Sequence, residues 1–131
     1  MIDCVFPLAC DDDTLQNSQT LKEWSELLTQ ASVNLGRSLT ESLYHRDRLI
    51  DTGFTNVTMK QFKWPSNRWP KDPHHKLVGM WTLANIGDGL EGLSLALLTR
   101  GLGWTKEEVL VYLTSVRQEL KDPKIHAYWK M

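Results

Sequence analysis

The chain has 131 residues, 41% hydrophobic and 24% charged, the composition of an ordinary soluble globular protein with room for one core. Fifteen Lys and Arg against sixteen Asp and Glu leave a formal net charge of -1, which argues against nucleic-acid binding through bulk positive charge. Cys4 and Cys10 are too few for a disulfide framework, no apolar run approaches the ~20 residues of a membrane span, and MIDCVFPLACDDD lacks the basic start of a signal peptide, so a cytoplasmic location is expected.

Residues 2–8 (IDCVFPL) are apolar and rich in β-formers; they read as a buried strand, followed by Asp11-Asp12-Asp13. The acidic triplet reads as a helix N-terminal region, where negative charge meets the helix dipole, or as a metal site. From Thr14 to Leu35, the positions Leu21, Trp24, Leu28, Ala31 and Leu35 fall three or four apart, one face of an amphipathic helix closed by Gly36. Thr40 caps a second helix, with Leu43, Tyr44, Leu49 and Ile50 as its inner face and Gly53 as its stop. The β-branched, breaker-free FTNVTMKQF, 54–62, reads as a strand.

WPSNRWPKDP, 64–73, carries three prolines and reads as an ordered loop, neither helix nor central strand. Asp72 and Pro73 occupy the N-cap and first position of a helix running to about Arg100. Its apolar positions, among them Leu77, Met80, Trp81, Leu90, Leu93 and Leu98, make a stripe broad enough for a central buried helix. Thr105-Lys106-Glu107-Glu108 is a capping box, and the helix it opens presents Val109, Tyr112, Leu113, Val116 and Leu120 before stopping at Asp122-Pro123. The tail IHAYWK, 125–130, reads as the beginning of another strand.

Six tryptophans, at 24, 64, 69, 81, 104 and 129, suit either an aromatic-rich core or a wide pocket for a flat apolar ligand. Gly87-Asp88-Gly89-Leu90-Glu91-Gly92 has the spacing G-x-G-x-x-G, but a cofactor fold needs a strand before it. The preceding KLVGMWTLAN has helical periodicity, so the motif reads as a loosened stretch of helix. His45, His74, His75 and His126 lack zinc-site spacing, and neither G-x-S-x-G nor a P-loop lysine motif occurs, so nucleophilic and metal chemistry are not indicated. His45, His126, Tyr128, Asp88 and Glu91 remain as acid–base or hydrogen-bonding groups.

Four stretches carry a resemblance: CDDDTL, LKEWSELLTQASVNLGRSL, RLIDTGFTNVTMKQFKWPSNRWPKDP and NIGDGLEGLSLALLTRGLGWTKEEVLVYLTSVRQELKDPKIHAYW. Together they resemble the C-terminal part of the fungal S-adenosylmethionine-dependent methyltransferases related to the secondary-metabolism regulator LaeA, with WPKDP, GLEGLSLAL and IHAYW the more specific runs. The resemblance places 2–8 and 54–62 on the fifth and sixth strands of a methyltransferase sheet and implies that the glycine-rich cofactor half is absent. It also implies that the chain stops short of the last strand, which lies between those two, so that pairing edges are exposed. The expected fold class is mainly α with a small β element (α+β). It is a single truncated class I methyltransferase-like domain over 1–131, with about four helices and two or three short strands.

Ligands in open α/β sheets sit beyond the carboxyl ends of the strands. The inserts 14–35 and 64–121 leave from that end and resemble the family's substrate cap. The expectation is a protein without cofactor or metal that binds an apolar small-molecule intermediate of secondary metabolism and guides a cyclisation, isomerisation or pericyclic step without methyl transfer. Trp64, Trp69, Trp81 and Asn85 are the expected substrate contacts, and His45, Glu91, His126 and Tyr128 the expected catalytic groups. The alternative is a non-catalytic interaction subunit that completes or regulates a methyltransferase-like partner. A homodimer is expected on either view, and neither nucleic acid nor membrane is.

Overall fold

The computed structural model describes residues 2–131. The elements in chain order are β1 (Val5–Ala9), α1 (Gln19–Asn34), α2 (His45–Asp51), β2 (Lys63–Pro65), α3 (Pro73–Ala96), α4 (Lys106–Lys121) and β3 (Tyr128–Lys130). Short 3-10 turns at Thr14–Asn17 and Glu41–Tyr44 precede α1 and α2, and a π-turn over Leu97–Gly101 ends α3. Four α-helices and three short strands make the α+β architecture expected from the sequence.

The sheet has the order β1-β3-β2, with β3 antiparallel to both neighbours. The strand expected to be missing from the middle is therefore present, formed by Tyr128–Lys130. The outer edge of β1 is not left open either. Phe6 N–H donates to the Leu39 carbonyl (3.5 Å), Leu8 N–H donates to Ser25 Oγ (2.6 Å), and Pro7 has no N–H to offer.

The strand expected at 54–62 is displaced. That segment is irregular and mostly exposed, and β2 lies instead at Lys63–Pro65, overlapping the start of the run read as a loop. Pairing with β3 decides the matter: Trp64 faces Trp129 across the ladder, and Phe62 exchanges backbone hydrogen bonds with Met131 at 2.9 Å each. Pro65 is tolerated because β2 is an outer strand and Pro65 faces Tyr128 at a site whose N–H would point away from β3.

The core joins Phe6 and Leu8 of β1 with Leu21, Trp24 and Leu28 of α1, Leu90 of α3, Val109, Leu113, Val116 and Leu120 of α4, and Trp129 of β3. Trp24 is fully buried and its indole N–H donates to Ser94 Oγ at 2.9 Å; Phe6 meets it edge-on at 6.1 Å between ring centres. The capping box at Thr105 and Glu108 forms as expected, as does the Asp72 cap of α3, which accepts from His75 N–H at 2.9 Å. The N-terminus of α1 is capped from a distance. Glu119 Oε2 on α4 accepts from Leu21 N–H (2.6 Å) and Ser18 Oγ–H (2.7 Å), a carboxylate against the positive end of the helix dipole.

Two expected apolar faces lack a covering layer. On α3 only the side that meets α4 and β2 is buried, with Gly79, Thr82, Leu90 and Ser94, while Leu77 and Trp81 stand 51% and 66% exposed. The helix is apolar nearly all round but has neighbours on one side, so it is not the central buried helix its composition predicts. In α2 and the turn before it, Leu43, Tyr44 and Ile50 are exposed for the same reason: no element packs over them. Gly79 is required where it stands, because a Cβ there would lie 1.9 Å from the Asn67 carbonyl oxygen. Among the described residues, no helix is long and apolar enough to cross a membrane.

Candidate functional site: an apolar groove and a separate polar cluster

A groove of about 650 Å³ opens at the end of the sheet where β1 and β2 begin and β3 ends. Its apolar wall comes from Leu43 and Leu49 on one side and from Val57, Met59, Phe62 and Trp64 on the other. The irregular 54–62 segment thus spends its apolar residues on this wall instead of on a strand. His45 begins α2 and reaches the wall, where its Nε2 lies 3.3 Å from Asp3 Oδ2; Asp3 Oδ1 accepts from Cys4 N–H at 2.8 Å. Ser42 also lines the groove, but its hydroxyl is buried beneath the surface, without a hydrogen-bond partner. Burial, and then the Asp3 charge, push the Cys4 thiol up to about 11.

A second constellation lies at the other end of the sheet, where β1 ends and β3 begins. Asp12 binds the His126 ring through His126 Nδ1, and its other oxygen accepts from Thr14 Oγ1–H (2.8 Å) and the Cys10 thiol (3.1 Å). The His126 ring lies 4.9 Å from Trp69, centre to centre, and Trp69 Nε1–H donates to the Ala127 carbonyl at 2.9 Å. Tyr128 O–H donates to Asp11 Oδ1 at 2.7 Å, Lys63 pairs with Asp11, and the Lys63 ammonium sits 4.7 Å from the Tyr128 ring centre.

The electrostatics of this cluster are those of a clamp. The His126 hydrogen bond, with help from Cys10 and Thr14, holds the Asp12 carboxyl well below the usual carboxylate range. Lys63 and then Tyr128 lower Asp11, while burial and the Asp11 contact raise the Tyr128 phenol. Tyr128 keeps its proton and gives it to Asp11 as a hydrogen bond, so it acts as a fixed donor. The smaller hollow nearby, lined by Pro7, Cys10 and Asp13, holds about 180 Å³.

The eight site residues expected from the sequence are therefore not brought together. His45 and Trp64 reach the groove. His126, Tyr128 and Trp69 meet in the polar cluster. Glu91, Asn85 and Trp81 are exposed on α3, apart from both. The sequence reading missed Asp3, Ser42, Met59 and Phe62. The available signal was an apolar residue recurring at Val57, Met59 and Phe62 in a segment with too few neighbours to be a sheet strand.

The residues present do not fit S-adenosylmethionine. Gly87, Gly89 and Gly92 lie within α3 and not in a turn between a strand and a helix N-terminus, so their spacing does not build the loop that cradles a cofactor. The acidic side chains at the end of β1, Asp11 and Asp12, are already engaged by Lys63, Tyr128 and His126. Among the described residues, no group of three or more His, Cys, Asp or Glu side chains is placed to hold a metal ion.

Comparison with known proteins places these features in context. The chain is 33% identical over 123 residues to the probable methyltransferase tdiE of Emericella nidulans, covering 94% of this chain and 39% of that protein. It is 36% identical over 120 residues to the secondary metabolism regulator LAE1 of Cochliobolus heterostrophus, covering 91% and 39%. It is 34% identical over 117 residues to the methyltransferase pytC of Aspergillus terreus, covering 89% and 36%. No family model and no solved structure matches. The chain spans under two-fifths of the length of these curated relatives. Nearly the whole chain is thus similar to one part of the fungal LaeA-like and tdiE/pytC methyltransferases.

Proposed function

We propose that this chain is a methyltransferase-derived module of fungal secondary metabolism that holds an apolar biosynthetic intermediate in its groove and guides an acid–base isomerisation or cyclisation without methyl transfer. The observation that carries this reading is the apolar groove of about 650 Å³ with His45 held at its wall by Asp3. That volume lies in the range of small-molecule sites, and an apolar wall with few polar groups is their usual lining. His45 takes a proton from the carbon next to a carbonyl, the C–H electron pair moves to the oxygen as an enolate, and His45 returns the proton further along the conjugated system. Asp3 orients the ring and stabilises the imidazolium between the two steps.

A β,γ-unsaturated cyclic ketone serves as the probe, its conversion to the conjugated isomer followed by ultraviolet absorbance. The expected result is an acceleration that His45→Gln reduces by about 10²–10⁴-fold while tryptophan fluorescence still reports probe binding. A wild-type rate no greater than that of the same concentration of free imidazole contradicts the catalytic reading.

A second reading, a non-catalytic interaction subunit, is favoured by the exposed Leu77 and Trp81 on α3. The partner is a second copy or a methyltransferase-like chain. Light scattering decides: a dimeric mass, or a complex with a full-length relative, that Trp81→Lys dissolves supports it, and a monomer alone at every concentration ends it.

A further inference from the structure

We propose that the groove is built for an amphipathic molecule with an apolar body and an anionic head, a carboxylate above all; this rests on the groove being the ligand site. Arg46, Lys60 and Lys130 contribute three cationic side chains to the lining, against one acidic side chain, that of Asp3. Asp3 is already engaged, by His45 and by the Cys4 N–H. Among the described residues, Lys60 and Lys130 have no ion-pair partner, whereas Arg46 pairs with Asp47.

An ammonium group covered by a ligand loses water and must be paired again, so a molecule that lies over Lys60 and Lys130 must bring acceptors. Leu43, Leu49, Val57, Met59 and Phe62 give the rest of the lining a mainly apolar surface, interrupted by Thr58 and Gln61, which suits a hydrocarbon body. A neutral hydrocarbon leaves the donors unmet, and a cationic amphiphile places like charges together. An anionic head meets the ammonium groups.

Calorimetric titration with decanoate, decanol and decyltrimethylammonium, all below micelle formation, separates the possibilities. Decanoate should bind about tenfold or more tightly than decanol, and the cation most weakly. The double variant Lys60→Gln/Lys130→Gln, at exposed positions, should bring decanoate down to the level of decanol while leaving decanol unchanged. Equal binding of decanoate and decanol, or a preference that survives the double variant, overturns the anionic head and leaves the apolar groove standing. Binding of none of the three overturns the groove as a ligand site and this inference with it.

Discussion

Two alanine substitutions on the same helix should move stability in opposite directions. Alanine is favoured over glycine in a helix interior by about 0.8–1 kcal/mol. At Gly89 a Cβ meets nothing within 4 Å, so Gly89→Ala should gain about 0.5–1 kcal/mol, roughly 2–5 °C in melting temperature for a chain of this size. At Gly79 the same Cβ would sit 1.9 Å from the Asn67 carbonyl oxygen, 2.8 Å from its carbon and 3.2 Å from Pro65 Cβ. The obstacle is backbone, so either α3 or the 65–69 loop must move. Asn67 is itself tied down: its side-chain amide donates to the Leu120 and Asp122 carbonyls at 3.0 Å each, and its oxygen accepts from Trp69 N–H at 2.9 Å. Overpacking costs about 1–3 kcal/mol. Weakening buried hydrogen bonds adds about 1–3 more. After the helix-propensity gain, the net loss is about 1–5 kcal/mol, a melting temperature lower by roughly 5–20 °C. Thermal and urea unfolding followed by circular dichroism give both numbers. A Gly79→Ala variant as stable as the wild type would refute the close packing of α3 on β2. A Gly89→Ala variant destabilised by more than about 1 kcal/mol would show that the glycine-rich run has a role beyond helix.

Three further outcomes follow from individual contacts. Glu119→Ala removes the cap of α1 and should cost about 1–2 kcal/mol in urea unfolding, with the loss of helicity confined to α1 by hydrogen exchange. With its thiol pushed up to about 11, Cys4 should react with iodoacetamide at pH 8 more than tenfold slower than a free cysteine, the low thiolate fraction outweighing its higher intrinsic nucleophilicity; peptide mass spectrometry reads the rate. The Asp12 carboxyl is lowered in the folded state, so between its folded value and the unfolded value near 4 the unfolded chain holds more protons. Its stabilising contribution is complete above that unfolded value and is lost as pH falls through the folded one. The melting temperature of the wild type should therefore drop on acidification below about pH 4 more steeply than that of Asp12→Asn.

Much of the fold was legible because the signals were local. The Thr105 capping box, the Asp72-Pro73 start and the three-and-four spacing of Leu21, Trp24, Leu28 and Ala31 each predict an element that forms. What the sequence hid was set by pairing and by neighbours. Residues 54–62 have strand composition, but the register of Trp64 on Trp129 places the strand after them. The cap of α1 comes from Glu119, about a hundred residues away, and no local pattern announces it. The acidic triplet, open between cap and metal site, divides its work: Asp11 takes Lys63 and Tyr128, and Asp12 takes His126 while accepting from Thr14 ahead of the 3-10 turn. Of the expected residues, the groove takes in His45 and Trp64, and its other lining side chains carry no local signal beyond the recurrence of Val57, Met59 and Phe62. His126 and Tyr128 serve a satisfied polar clamp, while His45 stands at the groove with Asp3, a partner forty-two positions earlier.

The groove where β1 and β2 begin is proposed as the ligand site, and the polar cluster where β1 ends is not. Amide and indole shifts of the isotope-labelled chain, titrated with decanol as a neutral apolar probe, distinguish the two. The largest changes should fall on Leu43, Met59, Phe62 and the Trp64 indole, with Trp69, His126 and Tyr128 unmoved. Changes centred on Trp69, His126 and Tyr128, with the groove silent, would contradict it.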